Sequence, residues 1–579
     1  MTTVNLKING MPVTAPAGST VLEAARSAGI KIPTLCYLKD INEIGACRMC
    51  LVEVKGARSL VTSCVHPVAE GMEVFTNTPA VRRSHKATLE LLLSNHRKDC
   101  LSCPRSTDCE LQALCNEYGV DEYKYGKFDL KPDVDDSAVH LIRDNSKCIL
   151  CRRCVAVCSK NQFVGVIGPN ERGFDSHIGC AFDKPLAETS CINCGQCIAV
   201  CPTGALVEKD HTQKVWDALN DPTKHVVVGT APSVRAQLGE CFDMPIGTNV
   251  EGKMVAALRK LGFDKVFDVD TAADITIMEE GTELLDRLQN GGKLPLITSC
   301  SPGWVKFCEH YYPDMIENLS SCKSPQGMFG ALMRTYYAEK HGIDPKDIYI
   351  VSIMPCTAKK FEAQRPELSE NGLPDIDAAL TTRELAKMIK EAGLMFTSLA
   401  DEEFDPFMGI ASGAGHIFGA TGGVMEAALR TVYEVVTGQP CQPLEFHEVR
   451  GTEAIKEAEY DLAGTKVKVA VTSGLTNAAK LLDKVRSGEA DYHFIEVMAC
   501  PGGCVNGGGQ PHQPADVRNF TDLRADRAKA LYSEDAAMTL RKSHENPVVK
   551  ELYDSYLEKP GSHKAHEILH TTYTKRSIY

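Results

Sequence analysis

Cysteine spacing carries the strongest chemical signal in this chain. Two runs of the form C-x2-C-x2-C-x3-C lie close together, and the second ends in Cys201-Pro202. Such runs hold two cubane 4Fe–4S clusters, with the fourth cysteine of each run ligating the cluster of the other. Soft thiolates also bind zinc, but the doubled run with its closing Cys-Pro favours iron–sulfur clusters. The eight residues are Cys148, Cys151, Cys154, Cys158, Cys191, Cys194, Cys197 and Cys201.

An earlier cysteine group has a tight C-x2-C pair with one upstream and one distant partner. This is a variant of the plant-type spacing and predicts a 2Fe–2S cluster, with a four-cysteine zinc site as the alternative. The members of this group are Cys36, Cys47, Cys50 and Cys64.

A histidine joins the cysteines of the next group, H-x3-C-x2-C-x5-C. The pattern predicts a 4Fe–4S cluster with one imidazole ligand, and a Cys3His zinc site is the competitor. Neutral imidazole in place of a thiolate makes a cluster less anionic and raises its potential. The group consists of His96, Cys100, Cys103 and Cys109, with Cys115 as a weaker candidate.

The composition narrows the classes of function. With 579 residues and a net charge of −13, the chain predicts several domains and no nucleic-acid partner. No apolar stretch approaches 18 residues, and Met1–Gly10 lacks the pattern of a signal peptide, so we expect no membrane span and no export. The 25 cysteines follow ligand spacing and not a disulfide framework, which indicates a reducing cytoplasm.

Local patterns predict the elements that hold these groups. Alternating apolar residues on both sides of the turn Asn9-Gly10, followed by a capping box of Thr20 and Glu23, predict two strands and a helix. A ferredoxin-like β-grasp domain begins in this way. A helix over about 84–95 leads into the His96 group, and the Pro- and Asp-rich segment 131–136 is interpreted as a linker.

After about residue 210, short apolar runs alternate with helical stretches. This alternation predicts parallel strands covered by helices on both faces, the α/β architecture. Strands are expected at 226–229, 296–297, 348–353 and 467–471, with helices such as 255–261 and 427–436 between them. The last segment, 525–579, is polar and helical in pattern.

Three motifs in this region place cysteines directly after apolar strands, where sites gather in α/β sheets. Taken singly, each cysteine is equally compatible with a buried structural thiol. The motifs are TSCSPGW with Cys300, MPCTAKKFE with Cys356, and EVMACPGGC with Cys500 and Cys504, which is followed by three glycines from Gly507.

Together these motifs resemble the signatures of the iron–iron (FeFe) hydrogenase family, which read TSCCPxW, MPCxxKxxE and ExMACxxGCxxGGGxP. The upstream groups resemble the accessory domains of the same family, so the resemblance covers essentially the whole chain. Their order is similar to that in the hydrogen-forming subunits of NAD(P)-linked multimeric hydrogenases. The first three domains would equally resemble the large subunit of complex I, but the C-terminal motifs exclude it.

The resemblance implies a catalytic metal site, the H-cluster. In that family pattern, Cys356, Cys500 and Cys504 hold a 4Fe–4S cubane, and Cys504 bridges to a two-iron subsite with CO, cyanide and a bridging dithiolate. Lys359 would contact a cyanide ligand. The remaining residues implied to line the subsite are Ala231, Pro232, Ser233, Met354 and Met498.

The resemblance also implies a proton relay. Glu280 and Glu283 are three residues apart, so they can share one helix face. Without the resemblance, these two glutamates would be interpreted as part of a solvated face. The implied relay consists of Cys300, Glu280, Ser320, Glu283 and Arg287.

One residue departs from the family pattern. The family has two adjacent cysteines, a proton relay and then a cubane ligand, whereas this chain has Cys300 followed by Ser301. Counted from Pro302, Ser301 falls on the ligand position. Either Cys300 ligates the cubane and Ser301 relays protons, or Ser301 ligates and the cluster is altered. A serine hydroxyl is a poor iron–sulfur ligand, which favours Cys300 as the ligand.

These expectations combine into a multidomain α/β protein with three 4Fe–4S clusters, one 2Fe–2S cluster and an H-cluster. The expected domains are a 2Fe–2S β-grasp domain (1–78), a His/Cys3 4Fe–4S domain (79–137), a two-cluster ferredoxin α+β domain (138–209), a large α/β H-cluster domain (210–520) and a helical segment similar to a small subunit (521–579).

The implied function is the reversible reduction of protons to H2 in an anaerobic cell. Gly413-x-Gly415 lacks the rest of a G-x-G-x-x-G motif, so ferredoxin or a flavin- and NAD(P)-binding partner subunit is expected to supply the electrons. The alternative is a sensory or iron–sulfur assembly protein related to hydrogenases, and Ser301 is the feature that favours it.

Overall fold

The computed structural model describes residues 2–121, 124–125, 132–462 and 464–578. A five-stranded mixed sheet opens the chain, with strand order β2-β1-β5-β3-β4. The hairpin predicted at Asn9-Gly10 joins β1 and β2, and the capping box of Thr20 and Glu23 starts α1, as predicted. The bounds are β1 Thr3–Ile8, β2 Met11–Pro16, α1 Val21–Ser27, β3 Leu51–Val54, β4 Val61–Thr62 and β5 Glu73–Phe75.

The next two regions are poor in regular structure and rich in cysteine loops. The predicted helix before His96 is present as α2 (Pro79–Ser94), and Cys109 caps the N-terminus of α3 (Glu110–Tyr118). Strand β10 pairs with β7, which pairs in turn with β6. The bounds are β6 Val134–Asp135, β7 Leu141–Asp144, α4 Arg153–Ala156, β8 Gly168–Asn170, β9 His177–Gly179, α5 Gln196–Val200 and β10 Leu206–Glu208.

The segment interpreted as a linker differs from that expectation. Lys131 lies outside the described residues, but Val134–Asp135 forms β6 and pairs antiparallel with β7. Backbone hydrogen bonds to a neighbouring strand therefore order the end of this Pro- and Asp-rich stretch, an effect that composition alone does not reveal.

Two four-stranded sheets form the large C-terminal region, with orders β12-β11-β14-β17 and β13-β20-β19-β18. The four strands predicted here are present as β11, β13, β14 and β19. The bounds are β11 His225–Thr230, β12 Lys265–Asp268, β13 Leu296–Ile297, β14 Ile348–Met354, β15 Ser369–Glu370, β16 Leu373–Pro374, β17 Ala378–Thr381, β18 Ile455–Leu462, β19 Thr465–Ser473 and β20 Phe494–Met498.

The prediction of parallel strands holds for the first sheet and for part of the second. Strand β18 is the exception, because it runs antiparallel to β19 along its whole length. Only two residues separate Leu462 at the end of β18 from Thr465 at the start of β19, and a connection this short can join only antiparallel strands.

Helices cover both sheets and bury their apolar faces. The core around β11 is tightly closed, as Val227 and Val228 are fully buried. The helices are α6 Thr212–Leu219, α7 Pro232–Arg235, α8 Glu251–Leu261, α9 Val269–Asn290, α10 Pro302–Tyr311, α11 Pro325–Leu332, α12 Ala338–His341, α13 Ala358–Glu362, α14 Thr382–Glu391, α15 Gly413–His416, α16 Gly423–Thr437 and α17 Leu475–Ser487.

The polar C-terminal segment is helical, as predicted, and packs back onto the large region. Its residues 569–571 lie beside 321–323, where Lys323 N donates to Leu569 O and Thr571 N donates to Ser321 O, both at 2.8 Å. Among the described residues, no helix has the length and apolar character needed to cross a bilayer. The short helix α18 (Ala515–Arg518) precedes this segment, whose helices are α19 Leu523–Ala537, α20 Pro547–Leu552 and α21 His563–Leu569.

Candidate functional site

All 25 cysteines lie in the described part of the chain, and none forms a disulfide. The first group converges beside the N-terminal sheet: Cys50 Sγ lies 3.2 Å from Cys64 Sγ. Backbone N–H groups point at the other two sulfurs, because Cys36 N donates to Cys47 Sγ at 3.4 Å and Cys47 N donates to Cys36 Sγ at 3.5 Å. Four sulfurs with amide donors suit an iron–sulfur cluster.

The His96 group gathers where α2 ends and α3 begins. Burial lowers the pKa of His96 to about 4, so the imidazole is neutral, the form that ligates a metal. The Cys109 thiol accepts a hydrogen bond from Gln112 N at 3.5 Å. Burial raises the pKa of Cys115 to about 11, with smaller contributions from Cys109 and Cys100, which places Cys115 close to this group.

The two doubled runs form two cavities with crossed cysteine sets. One cavity is lined by the first three cysteines of the first run together with Cys201, and the other by the first three cysteines of the second run together with Cys158. This placement corresponds to the exchange of fourth ligands expected for two adjacent cubanes. The sets are Cys148, Cys151, Cys154 and Cys201, and Cys158, Cys191, Cys194 and Cys197.

A larger and mostly apolar cavity lies where strands of both C-terminal sheets end. It has about 820 Å³ of space not filled by protein atoms. Loops that follow β11, β13, β14 and β20 form its walls, so parallel strands from two sheets deliver distant segments to one place. Its lining contains every residue that the resemblance assigned to the subsite: Ala231, Pro232, Ser233, Cys300, Ser301, Met354, Cys356, Lys359, Met498, Cys500 and Cys504.

Three thiols share one wall of this cavity. Burial raises the pKa of Cys500 well above its usual value, and the charges of Cys356 and Cys504 raise it further. The pKa of Cys504 is likewise raised to about 12 by burial and by Cys356. Each thiolate charge in this mostly apolar cavity raises the pKa of the neighbouring thiols. The three thiols can therefore ionise together only when a cation balances their charge. This donor set therefore fits a bound iron–sulfur group.

Lys359 is held at the cavity wall by a buried polar network. Its Nζ donates to Ser324 Oγ and to Glu362 Oε2, both at 2.8 Å, and to Cys300 O at 3.3 Å. Glu362 also accepts from Gln326 Nε2 at 2.8 Å. The sequence assigned no role to Ser324 or Gln326, although both begin α11, where the run Ser-Pro marks a helix start.

Cys300 and Ser301 face different neighbours. Burial raises the pKa of the Cys300 thiol, and the nearby Glu280 carboxyl raises it further. The Ser301 hydroxyl instead accepts a hydrogen bond from Ala499 N at 3.2 Å, beside the Cys500 loop. Cys504 also raises the pKa of Cys300, so Cys300 lies between the implied proton relay and the Cys504 thiol, whereas Ser301 lies beside the Cys500 loop.

The implied relay residues adjoin one another behind Cys300. Glu280 is 1% exposed, hydrogen-bonds to the Ser320 side chain, and has its pKa raised to about 8 by burial. Ser320 Oγ also donates to Glu283 Oε2 at 3.1 Å, and Glu283 accepts from Arg287 Nη2 at 2.6 Å. Glu280 and Glu283 share the inward face of α9, so the solvated-face interpretation is excluded by burial.

The dicluster region and the catalytic cavity share a residue. Cys194 lines the cavity of the second cysteine set and also lines the catalytic cavity. Loops interlock on both sides of it: Thr357 Oγ1 donates to Asn193 O, and Gln196 Nε2 donates to Asn506 O, both at 2.8 Å. The accessory and catalytic sites are therefore in direct contact.

Known protein families match successive parts of the chain. "Iron only hydrogenase large subunit, C-terminal domain" covers 224–508, and "Iron hydrogenase small subunit" covers 521–576. The "2Fe-2S iron-sulfur cluster binding domain" covers 1–79, the "NADH-ubiquinone oxidoreductase-G iron-sulfur binding region" covers 85–124, and the "4Fe-4S dicluster domain" covers 147–205.

Relatives of similar length share about half of the residues. The chain is 50% identical to "NADP-reducing hydrogenase subunit HndD" of Solidesulfovibrio fructosivorans, over 100% of both chains. It is 48% identical to "Iron hydrogenase 1" of Clostridium pasteurianum, over 98% of this chain and 99% of that one. A solved structure of a variant of the FeFe hydrogenase HydA1 from Chlamydomonas reinhardtii matches with TM-score 0.58 and 44% identity, over 64% of this chain and 100% of that one. The chain belongs to the iron-only (FeFe) hydrogenase family.

Proposed function

We propose that this chain is the catalytic subunit of a multimeric hydrogenase, which reduces protons to H2 reversibly at a metal group held in the large cavity. The observation that carries the proposal is the convergence of Cys356, Cys500, Cys504 and Lys359 in one buried, mostly apolar cavity that touches the dicluster region. The three thiols would hold the group. When bound, that group supplies the redox chemistry that joins two protons and two electrons.

Contacts between the accessory sites support a branched electron route. Asn42 Nδ2 donates to Cys36 O at 2.8 Å and to Cys151 O at 3.1 Å, so it joins the first site to the first doubled-run cavity. Arg105 Nη1 donates to Cys201 O at 3.1 Å, which joins the His96 group to the same cavity. We propose that electrons enter at either site, merge there, and continue past Cys194 to the catalytic cavity.

This route requires one 2Fe–2S cluster in the domain 1–78, one 4Fe–4S cluster in the domain 79–137 and two 4Fe–4S clusters in the domain 138–209. The catalytic domain 210–520 and the helical segment 521–579 follow. The donor would be ferredoxin or a flavin- and NAD(P)-binding partner subunit, a view supported by the relative named as an NADP-reducing hydrogenase subunit. Twenty-five cysteines without a disulfide fit a cytoplasmic location.

The protein's own groups move the protons. With its pKa near 8, Glu280 is protonated at neutral pH and can donate toward Cys300. Ser320 bridges Glu280 to Glu283, and a hydroxyl can accept one proton while it releases another. Lys359 Nζ is held at the wall by Ser324 and Glu362, where it would orient an anionic ligand of the group.

At the departure from the family pattern, the neighbours favour the alternative that sequence reasoning ranked second. Cys300 lies near Glu280 and near Cys504, as a proton relay between Glu280 and the catalytic group must, and Ser301 lies beside the Cys500 loop, as a ligand must. We propose that Cys300 relays protons and that the cubane has three thiolates, with Ser301 at the fourth position.

The test is H2 evolution from chemically reduced viologen by the chain carrying its full set of metal groups, with iron counted per chain. We expect turnover well above that of protein lacking the catalytic group. Full iron loading without turnover would contradict the proposal and favour the sensory or assembly function. Native co-purification with a flavin assay identifies the partner.

A further inference from the structure

Arg287 ends the implied relay, but its surroundings give it a different role. Its guanidinium donates to Glu283 and also to the carbonyl oxygens of Lys293 at 2.8 Å, Leu319 at 2.9 Å and Glu317 at 3.2 Å. A guanidinium has no acceptor atom and keeps its protons in proteins. Arg287 therefore fixes Glu283 in place but cannot exchange a proton with it, so protons must reach the half-buried Glu283 from water or through another neighbour.

Ser321 and His570 meet that need on the other side of Glu283. Ser321 Oγ lies 3.2 Å from Glu283 Oε2 and 2.8 Å from His570 Nδ1. Ser321 N also donates to Glu283 Oε2 at 3.0 Å. The strand-like contact between 321–323 and 569–571 fixes this geometry, because its backbone hydrogen bonds hold both residues.

The second ring nitrogen of His570, Nε2, contacts a further carboxylate. It lies 3.1 Å from Glu279 Oε2, and Glu279 is buried and accepts from Tyr553 OH at 2.5 Å. The His570 ring packs on the ring of His566, with centroids 3.9 Å apart, and His566 is exposed. The Cys322 thiol completes the surroundings, 3.9 Å from Glu283 Oε2, and burial raises its pKa so that it stays neutral.

We propose that Ser321 and His570, with His566 at the surface, carry protons between Glu283 and solvent. This inference rests on the proposed function, since it extends the same relay. During H2 evolution, a neutral His570 ring with its proton on Nδ1 takes up a second proton at Nε2, from Glu279 or from water beside His566. The imidazolium then gives its Nδ1 proton to Ser321 Oγ as the Ser321 hydroxyl proton passes to the Glu283 carboxylate. This leaves a neutral ring with its proton on Nε2, and exchange of that proton back to Nδ1 through water resets the ring. Each O–H or N–H bond that breaks is replaced by one that forms, and no electrons are consumed.

The chemistry of the residue types supports this assignment. Imidazole takes up and releases protons near neutral pH, unlike guanidinium. Two carboxylates face the ring, Glu279 and Glu283, and the Cys322 thiol and the His566 ring also lie against it. The proposal gives the C-terminal segment a working part in catalysis: it supplies His566 and His570.

The experiment compares His570→Gln with His544→Gln in the chain carrying all its metal groups. His544 is a matched control, because it also bridges a hydroxyl, Thr431 Oγ1 at 3.2 Å, and a carboxylate, Glu434 Oε2 at 2.8 Å, but lies away from the relay. We expect H570Q to lower viologen-driven H2 evolution by about tenfold or more. A positioned proton carrier usually contributes about 10²-fold or more, and water can replace part of that contribution here. Its solvent deuterium isotope effect should rise, and added imidazole should restore part of the rate. H544Q should match the wild type.

Ser321→Ala is the second variant, because it removes the bridge with little change in packing. If H570Q fails to fold, S321A provides the test of the proposed proton path. The proposal would be overturned if S321A, or a folded H570Q, had the same rate, isotope effect and pH profile as the wild type. A lower rate without the isotope effect or imidazole rescue would also overturn it, since a structural role explains that result.

A readout without turnover separates this inference from the proposed function. In histidine-labelled protein lacking the catalytic group, the NMR signal of His570, assigned by its loss in H570Q, should titrate differently after Glu283→Gln, whereas the His544 signal should not change. An unchanged His570 titration would refute the coupling. Failure of the wild type to evolve H2 would instead refute the proposed function.

Discussion

The accessory sites and the catalytic cavity are built in opposite ways. Each accessory set comes from a short stretch of chain, such as Cys36–Cys64 or His96–Cys109, held in loops with little regular structure. The cavity is lined by residues from Cys194 to Gly507, most of them delivered by strands of two different sheets. Local spacing therefore specifies the first kind of site, and only a correctly packed core can produce the second.

The largest effect is expected from a substitution that removes the catalytic site and leaves the accessory sites intact. Cys504→Ala removes a thiol that both holds the catalytic group and faces Cys356 and Cys500. We expect H2 evolution to fall to background while the iron of the accessory sites is retained, because their ligands are local. Viologen assays and an iron count measure both. Cys308→Ala, a buried cysteine outside every ligand set, is the control and should keep its activity.

Glu280→Gln tests whether the buried face of α9 moves protons. A glutamine keeps the shape and hydrogen bonds but carries no exchangeable acid, so we expect a loss of about 10²-fold or more in H2 evolution. In the wild type, evolution should decline as pH rises through about 8, because the Glu280 carboxyl loses its proton there. Asp286→Asn, on the exposed face of α9, should leave both the rate and the pH profile unchanged. Equal loss in D286N would point to a general effect on the helix.

Gly508→Ala tests the contact between the second doubled-run cavity and the catalytic cavity. A Cβ at this position would collide with Cys194 O and with the backbone of Gly195. We expect the free energy of unfolding to fall by about 1–3 kcal/mol, the usual cost of overpacking, and electron delivery to slow severalfold. Denaturant unfolding and single-turnover reduction measure the two effects. At Gly168 a Cβ meets nothing within 4 Å, so Gly168→Ala should be close to neutral.

The smallest change is expected from Ser301→Cys, which restores the family's paired cysteines. A fourth thiolate binds iron more tightly than a hydroxyl, so the catalytic iron should resist a chelator longer, with a rate within about tenfold of the wild type. Chelation kinetics with an iron count check this. Retention indistinguishable from that of wild type would argue against Ser301 at the ligand position and return Cys300 to it.

Sequence reasoning succeeded where a signal is local. The hairpin at Asn9-Gly10 and the capping box of Thr20 and Glu23 each depend on a few adjacent residues, and both are present. The antiparallel β18 was missed because its sequence, IKEAEYDL, is mostly polar and lacks the apolar run by which the other strands were predicted. Ser324 and Gln326 were missed because their role depends on reaching Lys359 and Glu362 across the fold.

The sequence by itself determined the cysteine sets, the family resemblance and the residue types at the catalytic motifs, because ligand spacing is a property of the covalent chain. Tertiary structure alone decided that Cys194 borders two cavities, that Cys300 lies near Glu280 and Cys504 while Ser301 lies beside the Cys500 loop, and that His570 lies against Ser321. These contacts join residues far apart in the chain, and they exist only because burial of the apolar faces of two sheets and their helices brings those residues together.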